Sequence, residues 1–246
     1  MRLVRRLVAG ATAGPDYPPD ERDLADVSVF GLRLPLRASV AILATTALIV
    51  IDQLGWLRPG SFGFPDPTSP NLDPTSFERF VLFLVVPLGI VVLGFGDRPG
   101  RYGLALGDWR WGAGLLIAGL VVMLPIILGL ASVDQFRGYY GSQGRPLGVL
   151  LAEHAIELLP AEFLLRGFLM FALWRRIGPL ALVVQLVPFV LTHIGKPEIE
   201  LWSTFIGGSV FGWLNWRTGS ILWSAIGHIY VLTLMQLAVG GAAVPA

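Results

Sequence analysis

Pro160-Ala161-Glu162-Phe163-Leu164-Leu165-Arg166-Gly167 sets a carboxylate and a guanidinium four residues apart inside an otherwise apolar stretch. Ionisable side chains in a membrane-spanning helix are costly, so they face the bundle interior and mark a functional site. Two more polar intrusions, His193 and His228, lie in later apolar segments. The reading of fold and chemistry starts from these residues.

Only 14% of the 246 residues are charged and 54% are hydrophobic, against about 25% charged in an ordinary soluble domain. Eight Trp and thirty Gly suit a polytopic membrane protein, with aromatics at the interfaces and glycines where helices pack closely. The net charge of +1 speaks against nucleic acid as a partner and leaves membrane lipid and a membrane-associated protein or peptide. The absence of Cys removes thiolate chemistry and cysteine metal sites.

About 20 apolar residues cross a bilayer core. Seven stretches meet or approach this, roughly Leu36–Leu54, Phe80–Phe95, Trp111–Ala131, Leu147–Trp174, Gly178–His193, Leu201–Trp216 and Ile221–Val239. They are continuous rather than alternating, which excludes β-barrel strands. The expected fold is an all-α, polytopic bundle of about seven to eight transmembrane helices. Residues 1–35 form a mobile or interfacial cytoplasmic tail, 36–133 the N-terminal transmembrane helices and 147–240 the catalytic-core bundle. The Pro-rich connection Gly55–Glu78 reads as an irregular external loop.

With the N-terminus cytoplasmic, the inside segments carry Arg2, Arg5, Arg6, Arg22, Arg33, Arg37, Arg98, Arg101, Arg110, Arg175, Arg176 and Arg217. The outside segments carry Arg58, Arg79, Arg137, Arg145 and Lys196. Twelve against five favours that orientation, in a bacterial plasma membrane.

Gly178-Pro179 signals an antiparallel helical hairpin. Glu162 precedes Gly178 by 16 residues and His193 follows it by 15, so both lie about 23 Å from the turn. His228 lies nine residues beyond Gly219, roughly 14 Å from the next turn. The three are expected to converge near mid-membrane. Glu162 and Arg166 share a helix face and pair, with a carboxylate oxygen left free for chemistry. A carboxylate with a neutral imidazole generates hydroxide from water, and a second imidazole, His228, donates to a tetrahedral oxyanion. Glu162, His193 and His228 also form a possible Zn²⁺ ligand set with water in the fourth position; a water-only glutamate mechanism fits equally. Glu153, His154 and Glu157 precede Glu162 on the same helix, and Pro160 should kink it. Glu198 and Glu200 read as a solvated loop pair.

Pro160 to Phe168, then Phe189-Val190-Leu191-Thr192-His193, Gly195-Lys196-Pro197, Arg217-Thr218-Gly219-Ser220 and His228 resemble the CAAX-processing and bacteriocin-processing (CPBP, or ABI) family of intramembrane proteases. The resemblance covers about Gly100 to Gln236. It implies an endopeptidase, metallo- or glutamic-type, in which the first of two adjacent Glu and the second-motif His activate water. The last His and an Asn or small residue hold the oxyanion. Here Ala161 stands for the first Glu and Leu232 for the last residue. Either Glu162 is itself the base, or Glu157 leans across Pro160 into the space above Ala161. The rival readings are a degenerate relative acting as a membrane-partner binding or immunity protein, and a proton-coupled transporter.

Three other matches are weak. Gly94-Phe95-Gly96-Asp97 with Asp52 resembles an aspartyl protease dyad, Ser209 in Gly207-Gly208-Ser209 invites a serine reading, and Glu153-His154 has the wrong order for a zinc-protease run.

Overall fold

The computed structural model describes residue 10 and residues 13–58, 74–141 and 146–240. A short antiparallel hairpin, β1 (Asp26–Val29) and β2 (Leu32–Pro35), leads directly into α1 (Leu36–Leu54). This hairpin was not foreseen in an all-α fold. It turns at Phe30-Gly31, both at positive φ, where Gly is the undemanding choice and Phe is not. α1 stops at Gly55, which takes the left-handed conformation and returns its N–H to the Ile51 and Asp52 carbonyls.

The helix α2 (Thr75–Gly94) contains two π-helical stretches, Val81–Val85 and Ile90–Gly94, on either side of Pro87. Proline gives up its own helical hydrogen bond, and the widened turns adjoin that gap. The expected external loop Gly55–Glu78 is corrected at its end, because Thr75–Glu78 already belong to α2; residues 59–73 lie outside the described residues. After a 3₁₀ turn at Pro99–Tyr102, α3 (Trp109–Leu130) begins on Asp108, whose carboxylate accepts from the Trp111 N–H. The short α4 (Asp134–Tyr140) follows.

The core consists of α5 (Leu147–Glu162), a π-helical stretch Phe163–Leu169, α6 (Met170–Ile177), α7 (Leu180–Leu191), α8 (Glu198–Thr218) and α9 (Leu222–Gly240). Both expected hairpin turns are present, at Gly178 and at Gly219, each with positive φ. α9 packs on α3 and α5, and α7 on α6 and α8. Among the described residues, four helices are long and apolar enough to cross a membrane: α1, α2, α3 and α9, with α7 a shorter apolar helix. The core is therefore an all-α membrane bundle, with backbone polar groups satisfied inside helices as lipid demands. α3 turns almost its whole surface outward, with Ile117, Val121 and Val122 exposed.

The buried centre is aromatic. Tyr102, Phe163, Phe168, Met170 and Phe171 are sealed together with Ala41 and Ala181. Gly167 lets the π-helical stretch approach the neighbouring turn: a Cβ there would stand 2.8 Å from the Tyr102 carbonyl oxygen and 2.7 Å from the Phe163 ring.

Residues 13–35 are seated on the Arg-rich end of the bundle. The Tyr17 hydroxyl donates to the Trp216 carbonyl at 2.7 Å. Asp23 accepts from Arg37 at 2.6 Å and from Arg101 at 2.8 Å. Asp97 pairs with Arg37 and Arg101 and accepts from the Tyr102 hydroxyl. Burial would raise the Asp20 carboxyl, but hydrogen bonds from the Asp23 backbone N–H and Arg22, with Arg101 nearby, hold it down at about 2. Burial, and then the Asp97 charge, push the Tyr102 phenol up.

Candidate active site

Glu162 is fully buried and has no free oxygen. Its Oε1 accepts from Arg166 Nη1 at 2.7 Å and lies 3.0 Å from His228 Nδ1, while Oε2 accepts from the Ser224 hydroxyl at 2.7 Å. The expectation of a spare carboxylate oxygen is corrected: a carboxylate this deep needs its lone pairs satisfied, and Ser224, which the sequence reading passed over, takes the remaining one. The i, i+4 spacing delivers the ion pair. The Arg166 guanidinium also lies over the Phe189 ring, 3.9 Å from its centroid, with Phe211 at 5.9 Å. These aromatic faces compensate the buried cation, whose Nε and Nη2 find no hydrogen-bond acceptor among the described residues.

His228 therefore meets Glu162 despite their unequal distances from their respective turns. His193 lies just past α7, whose helix ends at Leu191, in the turn before Pro197. Its Nδ1 lies 2.7 Å from the Phe189 carbonyl, and its ring packs edge-on against the Phe189 ring with centroids 4.6 Å apart. The same Phe189 ring is 6.0 Å from that of His228. A carbonyl can only accept, so His193 carries its proton on Nδ1 and presents Nε2 with a lone pair. The Glu162 carboxylate likewise can only accept, so His228 turns an Nδ1–H toward it.

A cavity of about 450 Å³ lies beside this cluster, lined by Glu153, His154, Glu157, Ala161, His193 and His228, among others. Glu162 is absent from that wall, whereas Ala161, where the resembling family places its first Glu, forms part of it. Glu157, one turn earlier on the same face, is partly exposed in it. Glu157 pairs with Arg79, whose Nε and Nη2 meet Asp52 Oδ1 and Oδ2 at 3.0 and 3.3 Å. Asp52 and Arg79 also line the cavity. Sequence reasoning missed this pair because the two residues come from α1 and α2, far from the motifs. The signal available was an acid two residues before the end of an apolar helix.

Glu200 does not belong to a solvated loop. It lies in the first turn of α8, accepts from the Tyr140 hydroxyl at 2.6 Å and pairs with Lys196 at 3.0 Å. Asp52 and Asp97 sit at opposite ends of the bundle, each tied to arginine, so they form no dyad. Ser209 is exposed and donates to the Phe205 carbonyl. His154 packs in the cavity wall with Nδ1 2.8 Å from the Thr233 hydroxyl.

Among the described residues no three His, Asp or Glu side chains are disposed to hold a metal ion. In the suggested set of Glu162, His193 and His228, both Glu162 oxygens are already engaged and one ring nitrogen of each His is taken. The donor set does not fit a metal as it stands.

The site is thus that of a membrane helix bundle with a buried acid–arginine–imidazole cluster beside a polar cavity. Residues 144–233 match the family model described as Type II CAAX prenyl endopeptidase Rce1-like. No curated protein and no solved structure matches the chain. The matched segment contains Glu162, Arg166, Phe189, His193 and His228. Over that segment, which is less than half of the chain, the protein is similar to the CAAX-type family of intramembrane endopeptidases.

Proposed function

We propose that this protein is an intramembrane endopeptidase that hydrolyses a peptide bond of a membrane-associated polypeptide with water activated by Glu157 and His193. One observation carries the reading: Glu157, His193 and His228 face the same cavity. Glu157 accepts a proton from water while His193 Nε2, its ring locked by the Phe189 carbonyl, accepts that water's other hydrogen and aims its oxygen at the scissile carbonyl. The resulting oxyanion receives a hydrogen bond from His228 Nε2. The ring is protonated there as well as on Nδ1, and the Glu162 carboxylate stabilises the resulting cation. Collapse breaks the C–N bond, and the proton held by Glu157 passes to the leaving amine. In this scheme Glu162 and Arg166 position His228 and do not touch the substrate.

Glu157 takes the part of the carboxylate that Ala161 lacks, and Arg79, clamped by Asp52, fixes it in place. The N-terminus is cytoplasmic in this reading, on the strength of the arginine distribution. A binding or immunity role without catalysis is the second reading, favoured by the ion pair that Arg79 makes with Glu157. Cleavage of a labelled membrane-peptide library by purified protein decides between them. Glu157→Gln and His193→Ala should each lose turnover while binding persists. Full turnover in both variants overturns the proposed chemistry.

A further inference from the structure

The cavity and most of the arginines lie at opposite ends of the bundle. Asp52, near the end of α1, Arg79, near the start of α2, Tyr139 in α4 and Lys196 between α7 and α8 all border the cavity. In a bundle whose spans alternate in direction, these positions share one membrane face. Tyr139 is half exposed and Ile194 is 68% exposed, and both line the cavity at this end of the bundle. Ala161, Phe189 and His228 form the deeper wall.

The other face gathers β1 and β2, the turn before α3, the α6–α7 turn and the α8–α9 turn. Long-range contacts tie these together: Arg101 to Asp23, Arg176 to Asp26, Tyr17 to the Trp216 carbonyl and Arg217 to the Gly10 carbonyl. Of the cations named above, nine arginines among the described residues belong to this face, against Arg58, Arg79, Arg137 and Lys196 on the cavity face. Lys and Arg in short connections mark the cytoplasmic side, and neighbouring acids count for little in that bias.

We infer that the cavity bearing Glu157, His193 and His228 opens on the extracytoplasmic face, so that the polypeptide it takes is a juxtamembrane segment exposed on, or already translocated to, that face. The sidedness is independent of catalysis; the word substrate rests on the protease reading. A chain confined to the arginine-rich face would have the whole bundle between itself and the cavity mouth.

The absence of cysteine makes the test direct. Single-cysteine variants Ile194→Cys, at the mouth, and Ser28→Cys, on β1, are expressed in bacterial cells and treated with a membrane-impermeant maleimide. Ile194→Cys is expected to label in intact cells, and Ser28→Cys only after permeabilisation. Labelling of Ser28→Cys in intact cells, or equal labelling of both sites, overturns the inference. Cleavage of a fluorogenic peptide by detergent-solubilised protein, lost in His193→Ala, reports on the protease reading separately. In proteoliposomes of known orientation, peptide on the Ile194 side should be cut and peptide on the Ser28 side left intact. The reverse pattern overturns the sidedness without touching the chemistry.

Discussion

His228 Nδ1 lies 3.0 Å from Glu162 Oε1, and Arg166 Nη1 lies 2.7 Å from the same oxygen. One buried carboxylate oxygen thus serves a permanent cation and a titratable ring. Removing the carboxylate leaves Arg166 buried and unpaired, an arrangement that costs about 3–5 kcal/mol. Glu162→Ala is expected to lower the thermal unfolding midpoint markedly in detergent, with Glu162→Gln milder because its amide can still meet His228 or Ser224. Equal midpoints for Glu162→Ala and the parent would show that the pair does not support the fold.

Glu157→Gln preserves size and removes the proton acceptor. General-base removal commonly costs about 10²–10⁴-fold in rate. The variant should lose kcat by that order with its unfolding midpoint nearly unchanged, since Glu157 is only partly buried. An unchanged kcat in a single-turnover assay would move the base elsewhere.

Ala161→Glu places a carboxylate on the cavity wall one turn beyond Glu157. In the Glu157→Gln background it is expected to restore at least about tenfold of the lost rate, because the new acid reaches the same water from the same helix face. Failure to rescue in a correctly folded double variant would separate the two positions.

Gly167→Ala is expected to destabilise by about 1–3 kcal/mol. Its new methyl would meet the Tyr102 carbonyl at 2.8 Å, and a backbone atom cannot swing aside as a side chain can. Chemical denaturation in mixed micelles measures the change. Gly148→Ala, whose Cβ meets nothing within 4 Å, serves as the control and should be close to neutral.

Asp20 gives a pH signature. Its folded pKa, about 2, lies below the ordinary aspartate value, so its contribution is present above about pH 4 and lost as pH falls toward 2. The side chain is 36% exposed, which screens the effect to below about 1 kcal/mol. The difference in unfolding midpoint between the parent and Asp20→Asn should therefore shrink between pH 5 and pH 2. A difference that grows on acidification would contradict the assigned partners.

The helical segments were legible because apolar runs and Gly turns are local signals. Leu36–Leu54 was placed to the residue, and both hairpin turns fell where Gly178 and Gly219 stand. The meeting of Glu162 and His228 was legible because polar residues in lipid must find one another. The occupancy of Glu162's second oxygen was not, since a serine near the start of an apolar helix has many uses. Neither was the Asp52–Arg79–Glu157 chain, which depends on how α1 and α2 lean on α5. The hairpin was hidden because Val27, Val29, Leu32 and Leu34 make too short an alternation to stand out before a Pro.

Asp23 is grasped by Arg101, 78 positions later in the chain, and lies 4.0 Å from Arg175, later still. During synthesis the acid emerges with Arg37 close behind but well before Arg101 and Arg175, so the full clasp cannot close until the sixth helix has been made. It acts as a late checkpoint on biogenesis: a truncated or misthreaded intermediate leaves Asp23 short of its later partners and the leading segment accessible to quality-control proteases, and only a fully inserted bundle draws that segment home.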